Sequence, residues 1–188
     1  AAACALEMGV SARVIRETLN ALTGVEGRME RVRFDNPVDF SVFVDYAHTP
    51  DALESVLRTA CGFRGEGQRV VVVFGCGGDR DRTKRPKMGR IAAELADFVI
   101  VTSDNPRTEE PLAIIQEILA GMAGMETPYV VVENRVEAIR YAMDHAEKDD
   151  VIVLCGKGHE TYQEIKGVKY PMDERVLIEE VLQELGWK

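Results

Sequence analysis

The sequence predicts an α/β fold built on a doubly wound, mostly parallel sheet. Three observations carry that expectation. Apolar, β-branched runs alternate with segments of helical length and period, and strand–helix alternation implies parallel pairing through helical crossovers. The run Val70-Val71-Val72-Val73-Phe74 is apolar at every position, as a strand covered on both faces must be. Glycine, arginine and carboxylate residues recur in the loops after four strands, the edge where open sheets bind their ligands.

The elements follow in order. Residues 1–22 carry two short helical patterns. The second begins at Ser11, a suitable cap, and places Val14, Ile15, Thr18, Leu19 and Leu22 on one face. Two short helices cannot bury a core alone, so they read as the tail of a preceding domain. A glycine-punctuated connector, Gly24–Arg31, follows, and a boundary is expected around residues 28–34. After Pro37, Phe40–Val44 reads as a strand. Its loop opens a helix over 51–61, with Thr49 or Asp51 as cap and Pro50 in the first turn. The strand at 70–74 precedes a helix over 87–97, then a strand at 98–102. A helix over 112–122, a strand at 129–132 and a helix over 135–147 come next. The strand at 151–154 leads to a polar hairpin (162–170) and a last helix over 173–185.

A net charge of −9 with pI near 4.9 argues against a nucleic-acid or anionic-membrane partner. No apolar run is long enough to span a bilayer. Cys4, Cys61, Cys76 and Cys155 are scattered without a CxxC pair, which predicts reduced thiols and no zinc or other metal site. The opening residues lack the basic lead of a signal peptide, so a cytoplasmic location is expected.

Four loops carry the chemistry. Gly75–Pro86 holds three glycines, then Arg80, Arg82, Lys84 and Arg85, offset within the loop only by Asp79 and Asp81. In an acidic chain such a positive spot reads as a receptor for carboxylate or phosphate. Asp104-Asn105-Pro106-Arg107 offers an acceptor, an amide and a forked cation, stiffened by proline. It could grip a zwitterion or simply form an Asx turn. Gly156-Lys157-Gly158-His159-Glu160 adds a second carboxylate beside a permissive turn. Asp104 and Glu160 with Arg80 and Arg107 give two negative and two positive groups, the count for a ligand with two amino and two carboxyl groups. Asp45 could bind a ribose diol or merely supply a helix N-terminal charge. His48 could cover a nucleotide or pack in its turn, and Lys84 could contact phosphate or solvent. His145 reads as a surface residue. The phosphate-binding pattern GxxxxGK[ST] is absent from the chain.

Together, Asp45-Tyr46-Ala47-His48-Thr49-Pro50-Asp51, Gly75-Cys76-Gly77-Gly78-Asp79-Arg80-Asp81, Asp104-Asn105-Pro106-Arg107 and Gly156-Lys157-Gly158-His159-Glu160 resemble the C-terminal domain of Mur ligases. The resemblance covers nearly the whole chain and implies a Rossmann-like fold. It makes residues 1–30 the end of a central ATPase domain and 31–188 the amino-acid-binding domain. The implied activity is ATP-dependent, ADP-forming amide ligation in peptidoglycan synthesis. Meso-diaminopimelate is added to UDP-N-acetylmuramoyl-L-alanyl-D-glutamate through an acyl phosphate. It implies diaminopimelate contacts from Arg80, Asp104, Asn105, Pro106, Arg107, Gly156 and Glu160, and ATP contacts near Arg28, Asp45, His48 and Lys84. Catalytic residues and Mg2+ ligands would lie outside this chain, which alone would be inactive; a monomer is expected. The alternatives are a lysine-adding or folylpolyglutamate-type ligase, against which Asp104 and Arg107 argue, and a free-standing amino-acid or nucleotide sensor.

Overall fold

The computed structural model describes every residue except 22, 23, 35–37, 187 and 188. Leu22 and Pro37 therefore lie outside the described residues. Two helices, α1 (Ala2–Glu7) and α2 (Ala12–Ala21), open the chain. Ser11 Oγ accepts from the Val14 amide at 3.4 Å. Neither helix buries a residue.

The rest is organised on a sheet of order β1-β2-β6-β3-β4-β5. Its strands are β1 (Glu30–Arg31), β2 (Ser41–Asp45), β3 (Val70–Phe74), β4 (Phe98–Val101), β5 (Tyr129–Val131) and β6 (Val151–Cys155). Every pairing from β2 to β5 is parallel; β1 alone runs antiparallel, against β2. The connecting helices are α3 (Pro50–Phe63), α4 (Lys84–Leu95), α5 (Pro111–Met122) and α6 (Arg135–Asp144). A separate hairpin, β7 (Tyr162–Ile165) with β8 (Val168–Pro171), precedes α7 (Glu174–Glu184).

The all-apolar strand behaves as its composition requires. Val70, Val72 and Phe74 face a core formed with α3, α4 and α5. Val71 and Val73 face a second core formed with α6 and α7. Period-two alternation thus feeds both layers at once.

Local signals hold at several ends. Thr49 Oγ1 accepts from the Ala52 amide and Pro50 occupies the first turn of α3. Asn134 and Asp173 cap α6 and α7 through their side chains. Two features differ from the sequence reading. Helix α4 starts at Lys84, three residues early, because proline fits a helix's first turn; Lys84 and Arg85 thus belong to helix rather than loop. Within the expected connector lies β1, whose two polar residues carry no apolar signal. Burial at the sheet-facing side of the chain starts at Gly27, and Tyr46 N donates to Gly27 O at 2.9 Å.

Candidate functional site

Parallel pairing with β6 between β2 and β3 brings four loop starts to one carboxyl edge. Between these loops lies a cavity of about 560 Å3 lined by Arg80, Asp104, Asn105, Arg107, Gly156 and Glu160, with His48 and Lys84 at its rim and Tyr46 and Tyr162 among its walls.

Its positive end is built around glycines. Gly78 passes so near the 104–107 loop that an added Cβ would strike the Pro106 carbonyl. That approach lets Gly78 N donate to Asn105 O at 2.9 Å, and Arg107 Nη1 donate to Gly78 O at 2.8 Å. An added Cβ on neighbouring Gly77 would lie 2.8 Å from Arg107 Nη1 and 3.7 Å from Arg80 Cγ. The Arg107 guanidinium and the aliphatic stem of Arg80 therefore flank one glycine. Arg107 holds a left-handed backbone (φ 52°), which non-glycine residues keep only when their surroundings fix it. Here the hairpin does so: Arg107 N donates to Glu164 O at 3.1 Å, and Lys166 N donates to Arg107 O at 2.7 Å. Glu164 Oε2 also lies 3.4 Å from Arg107 Nε.

The opposite end is acidic. Asp104 is buried, and its Oδ2 sits under Gly156, where a Cβ would come within 2.7 Å. Gly156 has φ of 117°, open in practice only to glycine. Glu160 Oε2 accepts from Asn105 Nδ2 at 3.0 Å. Burial pushes the Tyr46 phenol up, and the nearby carboxylates of Glu160 and Asp104 add to that shift.

The remaining expected residues are placed as follows. Pro106 is buried beneath the loop and does not line the cavity. Asn105 Oδ1 accepts from Lys157 Nζ at 2.6 Å and from Glu164 N at 2.8 Å, so its amide is engaged within the protein. Asp45 stands apart from the cavity: its oxygens accept from Met29 N and Ala47 N, both at 2.7 Å. It ties β1 and its connector to the end of β2. Arg28 lies with its guanidinium 5.0 Å from the Tyr46 ring centroid. His48 packs edge-on against the same ring, and Lys84 Nζ donates to His48 O at 2.7 Å. His145 is exposed and stacks on Tyr141.

One expectation is corrected. The cations after β3 are not offset only by Asp79 and Asp81. Arg85 is fully buried and bonds Glu109 and Glu117 at 2.8–2.9 Å, and Arg82 pairs with Glu117. Those partners come from the next loop and α5, about 25–35 residues on, beyond any local pattern. Of the four cations, Arg80 and Lys84 line the cavity.

The sequence reading also passed over the floor. Lys157 is fully buried and sits 3.2 Å from Glu160 and 3.6 Å from Asp104. Arg135, equally buried, bonds Glu174 at 2.7 Å and the Cys155 carbonyl at 2.9 Å. Gln163 Nε2 donates to Asp104 O at 2.6 Å. Lys157 lay inside a quoted motif; Arg135 and Gln163 carry no signal short of the tertiary fold. Among the described residues, no three His, Cys, Asp or Glu side chains converge as metal ligands. Burial pushes the Cys76 thiol up to about 12 and the Cys155 thiol up as well, and the cysteines are unpaired. No described helix is long and apolar enough to cross a membrane.

An open α/β sheet with a mixed-charge cleft at its carboxyl edge is the arrangement in which such folds hold small charged ligands. A family model described as "Mur ligase, glutamate ligase domain" matches residues 27–158. The chain belongs to the Mur ligase family. It is 52% identical over 183 residues to a UDP-N-acetylmuramoyl-L-alanyl-D-glutamate–2,6-diaminopimelate ligase of Clostridium tetani, covering 97% of this chain and 37% of that protein. A ligase of the same name from Caldanaerobacter subterraneus is 50% identical, covering 94% of this chain and 36% of the relative. A solved structure of a ligase of that name superposes with TM-score 0.77 at 38% identity, over 98% of this chain and 37% of that one. The UDP-N-acetylmuramate-alanine ligase of Thermotoga maritima shares the fold, with TM-score 0.66 and 21% identity, over 97% of this chain and 35% of that one. The chain thus spans a little over a third of the length of the curated relatives it matches.

Proposed function

We propose that residues 31–188 form the acceptor-amino-acid domain of a ligase that adds meso-diaminopimelate to UDP-N-acetylmuramoyl-L-alanyl-D-glutamate. Residues 1–30 would complete the central ATPase domain of the same protein. The observation that carries the reading is the cleft's division into an arginine end and a carboxylate end. Arg80 and Arg107 would take carboxylate of the ligand, and Asp104 and Glu160 its ammonium. Gly156 leaves room for the ligand above Asp104. The names of the relatives support diaminopimelate as the amino acid.

The domain's contribution is binding and orientation. A ligand held at both ends presents one amine in a fixed direction, which lowers the entropic part of the barrier. That amine forms the amide bond with an activated carboxyl carbon, losing a proton as phosphate leaves. ATP would supply the phosphoryl group that activates the carboxylate, with Mg2+ held by residues outside this chain. Lys84 and His48 line the cleft and Arg28 lies over the Tyr46 ring, so all three fit contact with a nucleotide, whereas Asp45 would act by holding Met29, and so Arg28, in place. The reading places the enzyme in the cytoplasm, where its nucleotide-linked substrate would be made, and as a monomer.

The test is phosphate release from ATP. The full-length ligase should release phosphate only when both meso-diaminopimelate and the UDP-linked dipeptide are present. This chain alone should release none, and release by it would contradict the proposal.

A further inference from the structure

We propose that Lys157 is a positioning residue for the amine-binding end of the cleft. The inference rests on the proposed function above. Its ammonium holds Asp104 and Glu160 spaced to receive a ligand ammonium.

The geometry is that of a buried bolt. Lys157 Nζ donates to Asn105 Oδ1 at 2.6 Å and to Glu160 Oε2 at 3.2 Å, and lies 3.6 Å from Asp104 Oδ1. Two of the ammonium's donors are hydrogen-bonded and the Asp104 carboxylate lies within ion-pair distance, so the charge is compensated by both carboxylates. Those oxygens belong to two loops from different strands. Asn105 Nδ2 closes the ring by donating to Glu160 Oε2 at 3.0 Å. No solvent reaches Lys157. Tyr162, at the start of the hairpin, places its ring centroid 5.4 Å from Nζ.

A fully buried lysine is costly unless its charge is compensated. Here the compensation is the pair of carboxylates assigned to the ligand. Two carboxylates in one small cleft repel each other. Lys157 offsets that repulsion from below, using Oε2 of Glu160 and Oδ1 of Asp104. The oxygens left, Glu160 Oε1 and Asp104 Oδ2, carry no hydrogen bond within the chain among the described residues. Besides Asp104 and Glu160, the charged groups acting on Lys157 include Arg135 beneath the 103–105 loop. Burial pulls the Lys157 ammonium down from its ordinary value, while Asp104 and Glu160 act to hold its proton.

The test uses the full-length ligase. Lys157→Gln keeps polar atoms in the buried space and removes the charge. It should raise KM for meso-diaminopimelate at least tenfold and leave KM for ATP within twofold. In a Glu160→Gln background the same change should cost far less, since Lys157 acts through that carboxylate. An unchanged amino-acid KM, or additive losses in the double variant, would overturn the inference. A measurement on the unmutated ligase needs no variant. The 15N signal of the Lys157 ammonium should shift on saturation with meso-diaminopimelate, and an unmoved signal counts against the role. If the unmutated ligase shows no turnover with meso-diaminopimelate, the proposed function fails. Normal turnover with an unaffected Lys157→Gln variant removes only the lysine's role.

Discussion

Asn105 Nδ2 donates to Glu160 Oε2 at 3.0 Å, joining loops that leave the sheet from β4 and β6. The residues are 55 positions apart in sequence, yet this bond fixes how the acidic end of the cleft meets the loop carrying Arg107. Loop separation should therefore depend on the pair. Asn105→Leu should weaken amino-acid binding in the full-length ligase by roughly tenfold or more, the scale of a lost hydrogen bond to a charged group. Calorimetry with meso-diaminopimelate checks this; an affinity within twofold of the parent would contradict it.

Arg85 is fully buried against Glu109 and Glu117. Removing one partner of such a cluster leaves poorly compensated charge, so Arg85→Met should lose about 2–4 kcal/mol of stability by urea unfolding. The pH dependence follows from sign. The bond from Arg85 holds the Glu109 carboxyl well below its ordinary 4.5, at about 2. Its stabilisation is present above pH 4.5 and lost as pH falls towards 2. The gap between parent and Arg85→Met should accordingly narrow across that window. A constant gap down to pH 2 would be inconsistent with the ion pair.

Helices α4 and α5 cross where Gly121 meets the Pro86 carbonyl, so close that an added Cβ would overlap it. Backbone cannot yield as a side-chain tip can. Gly121→Ala should cost about 1–3 kcal/mol by overpacking, despite the better helix propensity of alanine. A melting temperature equal to the parent's would show that the helices part freely.

Helices α1 and α2 bury none of their residues, and Leu6, Met8, Val14 and Leu19 are exposed. Their amides should exchange with solvent faster than those of α3 or α6 in this chain taken alone. In the full-length ligase, packing against the proposed central domain should slow them. Equal exchange in both contexts would contradict the division near residue 30.

Much of this was legible in the sequence where local chemistry decides structure. Val70–Phe74 could hardly be anything but a strand buried on both faces, and Thr49 with Pro50 set the start of α3. Loop motifs after successive parallel strands also had to share an edge. What stayed hidden depends on partners distant in sequence. Arg85 looked like part of a free positive patch because Glu109 and Glu117 reach it only after α5 docks. Lys157 had no evident role within its glycine-rich motif, and its burial follows from how the 104–107 loop folds over it. Asp45 looked like a ligand contact, whereas its bonds to Met29 and Ala47 are made only once the connector returns along β2.

The central claim is that the cleft reads both ends of a doubly zwitterionic amino acid, and lysine differs from meso-diaminopimelate by one carboxylate. The most direct measurement is a calorimetric titration of the full-length ligase with each, repeated for Arg107→Ala. The account predicts at least tenfold tighter binding of meso-diaminopimelate by the parent, about 1.4 kcal/mol, and loss of most of that preference in the variant. Equal affinity of the parent for the two amino acids, or a preference unchanged by Arg107→Ala, would contradict it.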